Sequence, residues 1–80
     1  MANTDYNGWK NRSTWNIALW LSNDEGYYNA TLEFAKKYPL TPNKVKAFCH
    51  RLFGDRTPDG DRMGSVDWPA IAECIKELAA

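Results

Sequence analysis

The sequence predicts an all-α protein, a compact single domain of about four short helices. Three observations predict it: apolar residues recur at helical spacings from Trp15 to Leu78, no window sustains the alternation of a strand, and capping residues with Pro or Gly punctuate the chain. Eighty residues that are 44% hydrophobic suffice for one core and not for two.

Residues 1–8 carry Asn, Thr and Asp and end in an Asn7-Gly8 turn signal, so they read as a loosely ordered arm anchored at Trp9. A first helix is expected over Ser13 to Ser22, with Asn11 and Ser13 as cap candidates. Trp15, Ala18 and Leu19 make its inward face, while Ile17, Trp20 and Leu21 wrap onto the other side. Asp24 caps a second helix running to Lys37, with Tyr28, Leu32 and Ala35 as the inward stripe, and Pro39 stops it. Thr41 and Pro42 start a third helix with core stripe Val45, Phe48, Cys49 and Leu52, and Leu40 is placed to staple on Val45. Gly54 ends it. Residues 55–64 hold one proline, two glycines and five charges and read as an exposed loop. Asp67 caps the last helix, where Trp68, Ile71, Ala72, Ile75 and Leu78 follow helical spacing and Val66 is placed to staple on Ile71.

The formal net charge is zero, which argues against a general nucleic-acid coat. Its layout is uneven. From residue 36 to residue 54 stand five bases, Lys36, Lys37, Lys44, Lys46 and Arg51, and no acid. They solvate the outer faces of two helices or form a landing site for phosphate or an acidic protein, and Tyr38 and Phe34 beside them are suited to stacking on bases.

The acidic loop matches several positions of a calcium loop, but the position of the closing bidentate Glu is Val66, so the residues read as a turn. Cys49, His50 and Cys74 lack zinc-ligand spacing, and the two cysteines on helical stripes read as small buried hydrophobes. Neither a metal nor a cofactor is therefore expected. The chain has no glycine-rich phosphate loop, nucleophile elbow or zinc-protease helix, so no enzyme is expected. The longest apolar run, residues 17–21, is far shorter than the roughly 20 residues of a membrane span. With no secretory signal pattern either, the expected address is a cytoplasm.

Trp15 and Trp68 fall on expected core stripes, whereas Trp20 with Ile17 and Leu21 occupies the second side of an already apolar helix. Such a side is a candidate protein-binding hot spot, and it would serve a symmetric homodimer equally well.

Two stretches carry a resemblance: Asn7-Gly8-Trp9-Lys10-Asn11-Arg12-Ser13-Thr14-Trp15-Asn16, running on to Gly26, and the terminal Val66-Asp67-Trp68-Pro69-Ala70-Ile71-Ala72-Glu73. They resemble a family of small uncharacterised bacteriophage and plasmid proteins with an Asn-Gly-Trp-x-Asn-x-x-Thr-Trp-Asn start and a Val-Asp/Asn-Trp-x-x-Ile-Ala-Glu end. The chain departs from that pattern at Ser13, at Pro69 and in a shorter middle, and the basic island lies outside it. The resemblance implies a mobile-element origin and expression in a host bacterium; it carries no activity with it, and small bacteriophage and plasmid proteins of this size commonly work by stoichiometric binding to host machinery. The leading expectation is a non-enzymatic protein that binds and blocks a host protein or protein–nucleic-acid complex such as a defence nuclease, as anti-CRISPR or anti-restriction inhibitors do. The alternative is a small nucleic-acid-binding or transcription-regulating module using the five bases.

Overall fold

The computed structural model describes residues 8–80, so the expected arm lies, except for Gly8, outside the described residues. Four helices follow in order: α1 (Arg12–Asn23), α2 (Glu25–Lys37), α3 (Pro42–Phe53) and α4 (Trp68–Leu78), with one 3-10 turn (Met63–Ser65) before the last. α4 packs against all three others, and α1 packs against α2.

Each α-helix begins on a side chain that takes up a free N–H of its first turn. Asn11, Asp24, Thr41 and Asp67 accept from the amides of Thr14, Tyr27, Lys44 and Ala70. Pro42 and Pro69 occupy first-turn positions where no amide is needed. Gly54 closes α3 at φ +79°, a conformation that side-chain-bearing residues rarely adopt.

The core gathers Ile17, Ala18 and Leu21 from α1, Phe34 from α2, Val45, Phe48 and Cys49 from α3, and Ile71, Ala72 and Ile75 from α4, with Met63 and Val66 from the connection. Two stripes differ from the sequence expectation. On α1 Ala18 is buried as expected, but Ile17 and Leu21 are fully buried beside it, whereas Trp15 and Leu19 lie half-buried. Thr14, Ile17, Ala18 and Leu21 form a complete i, i+3, i+4, i+7 stripe once threonine is admitted, and its hydroxyl is satisfied between Asn11 Oδ1 at 2.7 Å and the Asp67 amide at 2.9 Å. On α2 the stripe is turned by one residue, with Thr31 and Phe34 buried and Tyr27 packed on the core, while Tyr28 and Leu32 face the end of α4. Thr31 is buried because its hydroxyl donates to the Tyr27 carbonyl at 2.7 Å, which leaves only its methyl for the core to meet.

Residues 55–62 are exposed on one side only. An antiparallel bridge joins Arg56 to Arg62, Gly60 turns the tip at φ +99°, and Thr57 is buried beneath it. α1 holds this small hairpin along its length. Asn16, fully buried, donates to Asp59 Oδ2 at 2.6 Å and accepts from the Asp59 amide at 3.2 Å. Ser13 donates to the Arg62 carbonyl at 2.8 Å, Arg12 pairs with Asp61 at 2.8 Å, and Asn11 donates to the Ser65 carbonyl at 2.7 Å.

Both cysteines are free thiols. Burial pushes the Cys49 thiol up to about 12, and burial first, then the Glu77 charge, raises that of Cys74 against a hydrogen bond with Ser22. The folded Cys49 thus keeps its proton when the unfolded chain, near the ordinary value of 9.0, loses it, so stability falls as pH rises from 9.0 to about 12. A thiol reagent at pH 8 should leave Cys49 unmodified in the folded protein and modify it on denaturation. Fast native labelling of both thiols would contradict this burial.

Candidate functional site

α1 is engaged on three sides: its inner stripe in the core, its polar N-terminal residues on the hairpin, and its flank on α2. Outside these contacts among the described residues stands Leu19, with Trp15 and Trp20 at either edge about 140° apart round the helix, all three half-buried. The Arg12 guanidinium lies 5.9 Å from the Trp15 ring centroid, within cation–π range. Trp20 meets Tyr27 edge-on at 6.3 Å, and Tyr27 meets Phe53 edge-on at 4.8 Å, so the row is braced by an aromatic series reaching α3. Two shallow depressions flank Leu19: one of about 220 Å³ bordered by Trp20, Asn23 and Asp24, and one of about 240 Å³ bordered by Trp9, Trp15 and Cys74.

Trp20 is a costly residue where it stands. Its indole N–H is shielded from solvent and has no hydrogen-bond acceptor among the described residues. An orphaned buried donor costs about 1–3 kcal/mol, which offsets part of what burying the ring contributes.

The binding face expected from the sequence therefore changes membership. Ile17 and Leu21 are core residues with no accessible surface, so they cannot touch a partner while the protein is folded. Trp20 stays, and Trp15 and Leu19 take their places. The missed signal was Thr14, which completes the Ile17 stripe.

The five bases of the island are divided. Lys44 and Arg51 lie seven residues apart on one face of α3 and border a depression of about 220 Å³ with Phe34, Tyr38, Ala47 and Phe48. Lys36 is turned about 200° from Phe34 on α2, pairs with Glu33 at 3.7 Å, and borders the depression at the end of α4 instead. Lys46 is turned about 200° from Lys44, and Lys37 stands exposed at the end of α2. His50, in the last turn of α3, is half-buried with Nδ1 3.1 Å from the Gly54 carbonyl oxygen.

A family model matches residues 2–79, nearly the whole chain. The chain belongs to DUF7249, a family of unknown function. No curated protein and no solved structure matches it. In this DUF7249 chain the polar residues of the Asn11–Asn16 stretch hold the hairpin and the start of α4, so that stretch accounts for structure on one side of α1 and presents Trp15 on the other. Among the described residues no helix is long and apolar enough to cross a membrane, and no three His, Cys, Asp or Glu side chains group as metal ligands.

Proposed function

We propose that this DUF7249 protein is a non-enzymatic docking module that binds and blocks a partner protein complex through the Trp15, Leu19 and Trp20 side of α1. The observation that supports the reading is Trp20: a half-buried tryptophan with an unmet buried donor among the described residues, outside the inner stripe of α1 and on the same helix as half-buried Trp15, the residue type that most concentrates binding energy. The aromatic bracing by Tyr27 and Phe53 keeps that row rigid, which lowers the entropy lost on docking. The resemblance of the Asn-Gly-Trp start to bacteriophage and plasmid proteins supports a host complex in the bacterial cytoplasm as the partner, with a defence nuclease as the class to test first.

The test is an affinity pull-down from nuclease-treated host lysate at two salt concentrations, with the unchanged chain and the Trp20→Ala and Trp20→Phe variants side by side. A stoichiometric complex that survives high salt and is lost with Trp20→Ala is expected. Trp20→Phe should melt within a few degrees of the unchanged chain, since about 1 kcal/mol shifts a domain of this size by roughly 4–8 °C. Equal capture by Trp20→Ala removes α1 as the docking side.

A further inference from the structure

We propose that the depression between the end of α2 and α3 is a binding site for single-stranded nucleic acid, with a base stacked on Tyr38 and the adjoining phosphates held by Lys44 and Arg51. It lies on different elements from the Trp15, Leu19 and Trp20 row, and neither site depends on the other.

Tyr38 is the exposed large aromatic of the described residues, at 46% accessible surface. It continues a series of stacked rings: Phe48 lies on Phe34 at 4.3 Å and 10°, and Phe34 on Tyr38 at 5.3 Å and 30°. Phe48 and Phe34 are buried, so the series runs from the core to solvent and ends on a ring fixed from below. A further planar group extends such a series at little entropic cost, and every nucleobase offers one.

The charge beside that ring is of one sign. Lys44 Nζ lies 6.0 Å from the Tyr38 centroid, at the outer edge of cation–π contact, and Arg51 stands two turns further along the same face of α3. Among the described residues no acid borders the depression, and none occurs in the sequence from residue 36 to residue 54. Lys44 also stands in the first turn of α3, which has no acidic residue. That is the end of a helix where a cation opposes the macrodipole and where an anion is welcomed by both. A local placement that works against helix stability is explained by a ligand that brings negative charge.

A stacking platform with two flanking cations fits base plus phosphate better than an acidic peptide, which would use the charges and leave the ring idle. The depression is shallow and about 220 Å³ in volume, which suits a strand passing across it. Ala47, exposed at its border, offers no side-chain group to read base edges, so sequence-tolerant binding is expected. The zero net charge of the whole chain keeps the affinity modest, with Kd of about 1–100 µM.

Fluorescence anisotropy of a labelled oligothymidylate, titrated with the full chain at several salt concentrations, tests the site. Tyr38→Ala should weaken binding about tenfold, as loss of one base stack does. Lys44→Gln with Arg51→Gln should weaken it and lower the salt slope by about 1.4, or roughly 0.7 per lost phosphate contact. Lys76→Gln, an exposed base on α4 away from the depression, should leave it unchanged. Tyr38 and the two cations are solvent-facing, and circular dichroism melting of each variant checks that it folds. The proposal is overturned by no binding up to about 100 µM at low salt, by Tyr38→Ala binding as tightly as the unchanged chain, by a duplex of the same length binding equally well, or by an acidic peptide displacing the strand at equal charge.

Discussion

Ile17→Ala is expected to remove about 2–5 kcal/mol of stability, the usual cost of emptying a fully buried aliphatic site. At the average of about 0.05–0.15 kcal/mol per residue, a chain of this length has roughly 4–12 kcal/mol in all, so the variant stands at the edge of unfolding. Circular dichroism should show the melting temperature falling by about 10 °C or more. The comparison variant is Leu19→Ala, on the outer side of the same helix, for which a loss within about 1 kcal/mol is expected. The pair separates the two sides of α1 by stability alone. Equal losses at both positions, or a larger one at Leu19, would contradict the assignment of Ile17 to the core and of Leu19 to the docking row.

Asn16→Ala should cost about 2–3 kcal/mol and loosen the hairpin over residues 55–62. Asn16 is fully buried and makes two hydrogen bonds to one residue, and the shorter, at 2.6 Å, is to a carboxylate oxygen. Hydrogen bonds to charged groups contribute about 1.5–3 kcal/mol, and the second bond fixes the Asp59 backbone. Truncation leaves the Asp59 amide and carboxylate without that partner. Arg56 and Arg62 flank the tip, so trypsin cleavage at these two residues reports loosening directly. Faster cleavage is expected in Asn16→Ala and Asp59→Ala, with a double-mutant coupling of about 1–2 kcal/mol between the two positions. An unchanged cleavage rate would mean that the hairpin holds its shape without Asn16.

Much of the fold was legible because caps are local chemistry. Asp24, Thr41 and Asp67 each act on an amide three residues on, so helix starts could be read from short stretches of sequence. Helix rotation was harder, because it depends on which polar residues can be buried at no cost. Thr14 and Thr31 are fully buried with their hydroxyls satisfied close by, and a count of apolar residues alone passes over both. On α1, apolar on nearly every side, that omission put Trp15 and Leu19 inside in place of Ile17 and Leu21, with only Ala18 common to both stripes.

The hairpin was hidden for a different reason. Its charges and glycines give the composition of a solvated loop, and what orders it is a set of contacts reaching 43 to 49 residues back along the chain to Arg12, Ser13 and Asn16. The basic island was legible as composition but not as a surface. Helical rotation separates Lys36 from Lys44 and Arg51, and the stacked rings that bring Tyr38 beside Lys44 join two helices across the connection at Pro39.

The central claim is that α1 folds the protein with one side and docks a partner with the other. Hydroxyl-radical footprinting of the captured complex against the free chain tests it most directly, because it reads side-chain accessibility residue by residue. Oxidation of Trp15, Leu19 and Trp20 should fall on complex formation, with Ile17 and Leu21 unreactive in both states and Tyr38 unchanged. Unchanged oxidation of Trp15 and Trp20, with protection appearing only at Tyr38 and along α3, would contradict it.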